Sequence, residues 1–504
     1  MKKSLVAVGV IAALGVVWTA GAWFTGKQME TRFADMIEQA NANLKRTAPE
    51  AGLKLSYENY QRGLFSSRLQ LVIEPTGRKG SPWLEPGQRV VFNEHVDHGP
   101  FPLSELKTFN LLPAMASVSS TLVSNELSKP LFDATKGKSP FSAKTRVGYS
   151  AATDTLITLV PISHEADDEK VAFSGGTIQL KADGDGKEVT LNAEMQSGLL
   201  EALNEYNQRV QLSFGNLKID GTSEMTDFAE RIGSQKLSVG TLSVAIEGQQ
   251  MALLEGMSLD GASTLTDDRK SINTRLDYAL NSLKLQSQDM GSGKLSLKID
   301  KLDGEAWHTF NQRYEAWMTS MAAQADQYQN PYYFQSKMAD AVIGILPVLL
   351  KGGPSVTIAP LSWKNAKGET TFNLALQLGD PAAAADDAKS MEALLDRTVK
   401  SLDSKLVIPV PMATHLMTQA AQLEGYQADE AAKLAAAKVE SFSALGHSFG
   451  FTTREKDNIV TSFQFSNGQV TLNGKSMTPE EFAMMFIKAV PQDNAQPEPF
   501  LPSR

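Results

Sequence analysis

The chain of 504 residues contains no cysteine. That excludes disulfide staples, thiolate metal sites, a cysteine nucleophile and a lipid-modified cysteine. Histidine is scarce too, with six residues at 95, 98, 164, 308, 415 and 447, so imidazole chemistry has few places to sit. Clustered lysine and arginine are missing, and the net charge of −9 argues against a nucleic-acid partner, whose binding rests on phosphate neutralisation. No G-x-S-x-G elbow and no H-E-x-x-H helix occurs, and Gly291-Ser292-Gly293-Lys294 lacks the leading glycine and the following Ser/Thr of a phosphate loop. With 42% hydrophobic and 21% charged residues the composition is that of a folded body, long enough for two or three cores.

Long hydrophobic runs are absent apart from one. Lys2 and Lys3 precede an uncharged apolar stretch from Leu5 to Phe24, about the ~20 residues a helix needs to cross a bilayer. Leu5, Gly9, Leu14, Trp18, Trp23 and Phe24 lie along it, and the run reads as a membrane anchor with interfacial aromatics at its end. The basic start leaves the rest of the chain across the membrane from the cytoplasm by the positive-inside rule. Ala20-Gly21-Ala22 also has the small-x-small form of a signal-peptidase site, so a cleaved signal is the alternative.

Beyond the anchor the dominant period is 2. Ile272, Thr274, Leu276, Tyr278 and Leu280 fall on one side of an extended chain while Asn273, Arg275 and Asp277 fall on the other, as in a half-buried strand. Leu212 to Ile219 (LSFGNLKI) reappears as Leu237 to Val244 (LSVGTLSV), and in both copies the apolar parity changes at a glycine, Gly215 or Gly240. A one-residue slip flips side chains to the other face unless the strand bulges there. The 171–302 ladder is therefore expected to be a coiled, mostly antiparallel sheet with an apolar face carrying Leu217, Ile219, Leu242, Val244, Ile272, Leu276, Tyr278 and Leu280.

Short helices are expected at 111–127 and 197–207, and a strand from Val90 to His98 before Gly99-Pro100. Asp303-Gly304 opens an amphipathic helix whose Trp307, Phe310, Tyr314, Trp317 and Met321 make a stripe fit for self-association, and Ala339 to Leu350 is a buried helix. A hairpin turns at Asn365 to Gly368, and Asp380-Pro381 caps a helix carrying Met391, Leu394, Leu395, Val399 and Leu402. Two Ala-rich helices follow, then a hairpin at Asn467-Gly468 and a capping box at Thr478 to Glu481. The expected class is α+β: a membrane helix (1–26), a β-rich periplasmic body (27–303), amphipathic and buried helices (304–353), a C-terminal α+β region (354–490) and a disordered tail (491–504).

Glu94, His95, Asp97 and His98 are the only candidate ligand cluster, but strand alternation sends His95 and Asp97 one way and Glu94 and His98 the other. A polar strand end is the plainer reading, a metal-dependent hydrolase the remote one, and His308 reads as a surface residue. No catalytic residue, metal or cofactor is expected.

The apolar run, Tyr57-x-x-Tyr60-x-Arg62-Gly63-Leu64-Phe65-Ser66-Ser67, His98-Gly99-Pro100 and Leu472-Asn473-Gly474-Lys475-Ser476-Met477 together resemble the YdgA family of proteobacterial envelope proteins over nearly the whole chain. That resemblance implies a periplasmic position at the inner membrane and self-association, and carries no catalytic residues. More distantly the strand-rich body resembles AsmA-like envelope proteins linked to lipid transport. Two functions follow as expectations: a non-enzymatic, membrane-anchored homodimeric scaffold or envelope-homeostasis factor, or a lipid-binding or lipid-transport protein using an apolar sheet groove.

Overall fold

A computed structural model describes residues 19–323, 348–380 and 398–489, apart from 29, 31–32, 36, 43, 46–50, 78–80, 82 and 167. The fold is mostly β, and every strand pairing described is antiparallel. The chain forms two compact units. One takes the chain up to Asn207 and again Ser213–Glu224, the other Gln208–Leu212 and everything from Met225.

The first unit is a meander whose strands are β1 (Leu53–Arg62), β2 (Ser66–Pro75), β3 (Val90–His98), β4 (Ala116–Leu122), β5 (Phe141–Val147), β6 (Thr153–Leu159), β7 (Ile162–Glu165), β8 (Glu169–Phe173), β9 (Gly176–Ala182) and β10 (Glu188–Leu203). From β1 to β6 each strand pairs with the next in sequence, and β7 and β8 form a hairpin after which β9 pairs back onto β6. β10 pairs along its length first with β9 and then with β8, so those two act as one long strand interrupted at Ser174-Gly175. Strands consecutive in sequence pair with one another, the commonest arrangement for antiparallel sheets, even across the long connections 76–89, 99–115 and 123–140.

The apolar face of this meander is covered by the N-terminal helix. Leu69, Val96 and Ala116 are buried together with Phe33, Tyr60 and Val118 packed on them. Phe33 meets Tyr57 edge-on at 5.0 Å and Tyr60 at 6.5 Å. Both tyrosines reach it because β1 bulges between Glu58 and Gln61, with Asn59 at φ 56°, which restores Tyr60 to the side of Tyr57. Asn41 closes the sheet edge: its amide donates to the Leu55 carbonyl (2.8 Å) and accepts from the Leu55 N–H (2.7 Å), occupying backbone groups another strand would otherwise seek.

β11 (Arg209–Met225) contributes residues to both units. In the second unit the meander resumes as β12 (Arg231–Ile246), β13 (Gln249–Leu265), β14 (Ser271–Leu285), β15 (Gln288–Asp303), β16 (Ser355–Asn365), β17 (Gly368–Leu378), β18 (Val399–Pro409), β19 (Thr453–Glu455), β20 (Asn458–Ser466), β21 (Gln469–Leu472) and β22 (Lys475–Met477). Helix α1 (Gly304–Ala323) leaves between β15 and β16; α2 (Val410–Leu423) and α3 (Ala428–Ser448) pack on each other between β18 and β19; α4 (Pro479–Ala489) closes the described chain. Ala431, Ala435, Val439 and Ser443 of α3, four apart, are buried. Met412 of α2 accepts from the Asn365 side chain through its carbonyl at 3.1 Å, tying the helix pair to the β16–β17 turn.

Several expectations are met residue by residue. The hairpin turn has both Asn467 (φ 51°) and Gly468 (φ 72°) in the left-handed region, and the Thr478–Glu481 capping box is reciprocal, at 2.9 and 3.2 Å. Others are corrected. The helix expected at 111–127 is replaced by β4, and that at 197–207 by the second half of β10. In both, tertiary pairing overrides local propensity: β4 is hydrogen-bonded on both sides, by β3 and β5. Val399 and Leu402 belong to β18 and not to a helix. Leu5, Gly9, Leu14 and Trp18, most of the 339–350 segment, residues 381–397 and the 491–504 tail lie outside the described residues. Among the described residues no helix is long and apolar enough to cross a membrane.

Candidate functional site

Opposed residues of an antiparallel pair share a face of the sheet. Read across β12 to β18, the register puts Leu237, Leu259, Tyr278, Leu295, Leu361, Phe372 and Leu406 in one row on one face. The neighbouring row on the same face is Val239, Met257, Leu280, Gly293 and Trp363. The row between them, Ser238, Ser258, Ala279, Lys294 and Ser362, takes the opposite face and is largely polar. Strict alternation thus divides β12–β16 into an oily side and a wet side.

Among the described residues the oily side is left open. An apolar trough of about 390 Å³ crosses β12 to β16, lined by both apolar rows. Tyr278 is 43% and Leu361 45% exposed, high values for large apolar side chains in the middle of a sheet. Trp363 walls one end. Its indole lies over Gly293, where a Cβ would come within 2.8 Å of the ring, and its Nε1–H donates to the Met290 carbonyl at 2.8 Å. The missing side chain at Gly293 therefore makes the wall, and the hydrogen bond fixes it.

A line of irregularity bounds the trough. Asn281 and Ser282 of β14 together oppose Ser292 of β15, a bulge that returns Leu283 to the side of Leu280, and in the adjoining strand Gly256 has φ 63°. This is where the repeat's parity change at Gly240 falls, next to Gly256. In the other copy the left-handed residue is Asn216, at φ 54°, directly after Gly215.

Of the eight residues expected on an apolar face, Tyr278 and Leu280 line the trough. Leu276 lies on the same face one row along, opposite Leu297, and Ile272 is buried further on, opposite Leu302. Leu242 and Val244 lie past the irregular line, and Leu217 and Ile219 fall in the first unit. Trp363, Leu361 and Leu295 are trough residues that sequence reading did not single out. Their alternation was visible, but the pairing of β15 with β16 across α1 was not.

The histidine cluster resolves into structural roles. His98 is 2% exposed; its Nδ1–H points to the Leu64 carbonyl at 3.4 Å, and its Nε2 accepts from the Ser67 hydroxyl at 2.8 Å. Burial pulls the imidazole below the usual histidine range, so the ring is neutral near pH 7. Gly26 of the N-terminal helix lies against that ring and Gly21 against Pro100; a Cβ at Gly26 would overlap the imidazole, and one at Gly21 would come within 2.7 Å of the proline. His95 turns away, bonding Asp97 Oδ1 at 3.1 Å, while Asp97 Oδ2 accepts from the Ser104 N–H at 3.0 Å. Glu94, bonded to Ser120, has its carboxyl pushed up by burial. Among the described residues no three His, Asp or Glu side chains form a metal-binding group. His308 is more than a surface residue: it bonds Glu230 at 2.7 Å, and Asn311 donates to the other oxygen of the same carboxylate at 2.7 Å, anchoring α1.

On α1 the rings of Trp307, Phe310, Tyr314 and Trp317 follow one another at 5.3, 6.0 and 5.9 Å, with Tyr314 45% exposed. The Met321 side chain is outside those described. Trp23 and Phe24, the described end of the expected anchor, are helical and exposed.

The chain is similar in sequence to known proteins over its whole length. It is 55% identical to Protein YdgA of Escherichia coli (strain K12) over 504 residues, covering all of both chains. It is 29% identical to the Uncharacterized protein YihF of the same organism over 485 residues, 96% of this chain and 98% of that one. No solved structure matches it. Residues 1–480 match the model of a family described as "Bacterial protein of unknown function (DUF945)", and the chain, with its open apolar sheet, belongs to that family.

Proposed function

We propose that the protein is a non-enzymatic, membrane-anchored envelope protein whose β12–β16 trough holds an acyl chain of a membrane lipid. The observation that carries this reading is the trough itself: two apolar rows, open to solvent, with a wall at Trp363 and no converging charges. Five strands at ~4.8 Å spacing give a furrow roughly 19 Å long. One acyl chain reaches about half of the ~30 Å hydrocarbon core, so a single chain fits that length. Polar metabolites need several placed donors and acceptors, whereas an acyl chain needs only apolar lining.

Retention of the N-terminal run as an anchor is supported by the helix at 19–28. Ala22 is fully buried and Gly21 packs on Pro100, so cleavage after Ala22 would remove residues that the first unit uses. The apolar stretch behind Lys2 and Lys3 would then keep the folded body on the periplasmic side. The aromatic ladder of α1 favours a second reading, a homodimer formed through Tyr314 and its neighbours. Light scattering of the detergent-solubilised chain checks it, and a strict monomer contradicts it.

The lipid reading is tested by mass spectrometry of solvent extracts from the purified full chain. Wild-type protein is expected to carry lipid, and a Leu259→Glu/Leu280→Glu variant to have lost most of it. Equal lipid in both, or none in the wild type, overturns the reading.

A further inference from the structure

We propose that the loop Phe109–Leu112 is a membrane-contacting tip that lies in the lipid interface beside the point where the N-terminal run enters the bilayer. This rests on the reading of that run as an anchor. Phe109 is 90% exposed, Leu111 67% and Leu112 66%, the densest group of exposed large apolar side chains among the described residues of the first unit. Such a patch costs free energy in water and signals a partner.

The tip is held out rigidly. Glu105, 4% exposed, gathers the Asn110 amide (2.6 Å), the Ser117 hydroxyl (3.0 Å) and the Lys144 ammonium (2.9 Å). Burial pushes this carboxyl up, but those hydrogen bonds and the Lys144 charge outweigh it and keep it below its ordinary range, hence ionised. Arg146 reaches from β5 to donate to the Pro113 carbonyl at 2.8 Å. The Asp97 carboxylate takes the Ser104 N–H, so both ends of the loop are tied to β3, β4 and β5. Those bonds brace the loop with its three apolar side chains outward.

Position selects lipid as the partner. The loop follows His98-Gly99-Pro100, the segment on which Gly21 and Gly26 of the N-terminal helix sit. The apolar run from Leu5 ends at that junction, where Trp23 and Phe24 are also exposed. Leu64, 46% exposed in the β1–β2 turn, lies at the same end of the meander, since Ser66 opposes Asp97. Lys107 is exposed beside the loop, and Lys27 and Arg62, the latter also paired with Glu30 at 3.0 Å, lie over the Trp23 ring, placing basic and aromatic side chains at this end as at a membrane interface.

The absence of cysteine makes the test direct. Leu111→Cys and, at the opposite end of the meander, Leu131→Cys each supply a single thiol for an environment-sensitive dye in the full-length chain. Leu131 is 46% exposed, and the seven residues of β4 separate the two ends by roughly 23 Å. Both variants are reconstituted into vesicles of phosphatidylethanolamine and phosphatidylglycerol with spin-labelled lipid as quencher. The expected result is quenching at 111 at least about threefold that at 131, as a tip within the interface demands. If the chain floats with the vesicles but the dye at 111 is quenched only by aqueous iodide, the tip proposal fails and the anchor stands. If the chain does not float with vesicles, both fall.

Discussion

The two units share one plan, an antiparallel sheet whose apolar and polar side chains alternate between bulges, yet their apolar faces meet different fates. In the first unit Leu69 is 4% exposed, because the N-terminal helix lays Phe33 on the face. In the second, Leu361 is 45% exposed in the trough. The strand pattern is the same in both, so alternation says that a face is apolar and not what covers it. A covered face is a core, held by burial; an open one is a surface available for a ligand.

The largest expected effect separates these two leucines. Leu69→Ala removes atoms from a closed core and is expected to cost about 2–5 kcal/mol. Leu361→Ala removes a half-exposed side chain and is expected to stay within about 1 kcal/mol. Chemical denaturation followed for each unit measures both. Equal losses would mean that the trough is ordinary core, and the contrast would break.

A smaller effect sharpens what holds the first face shut. His98 has its folded pKa below the unfolded value of about 6.5, because burial disfavours the imidazolium. Above pH 6.5 both states are neutral and the buried ring's contribution is intact. As pH falls from there toward the folded pKa, only the unfolded chain takes the proton, and stability drops by at most about 1.4 kcal/mol per pH unit. A His98→Gln variant, less stable at pH 7.5, is expected to have lost this part of the slope. An unchanged slope between pH 7 and 5.5 would remove His98 from the account of how the N-terminal helix is docked.

Much of the architecture was legible from period and punctuation. The alternation at Ile272 to Leu280, the Asn467-Gly468 turn and the capping box at Thr478 are local signals, and each appears where its chemistry requires. The parity change at Gly240 was legible as a bend, though its left-handed residue sits in the neighbouring strand at Gly256. What failed was non-local. Leu111 to Leu127 reads as helix by spacing, but β3 and β5 supply partners on both sides of β4 that no local pattern reveals. Most of the trough was missed, and for Leu361 and Trp363 the reason is again non-local: they follow a helical excursion that separates β15 from β16 in sequence and not in space. His308 was underrated because Glu230, 78 residues away, is its partner.

If the β12–β16 face takes an acyl chain as proposed, Trp363, which stands at its wall, reports the event. The most direct measurement is a titration of the full chain with a fatty acid brominated mid-chain, subtracting the signal of a Trp363→Phe variant to isolate that indole. Saturable quenching of the Trp363 fluorescence, abolished in the Leu259→Glu/Leu280→Glu variant, is the predicted result. A difference signal that stays flat as the brominated chain is added would contradict it.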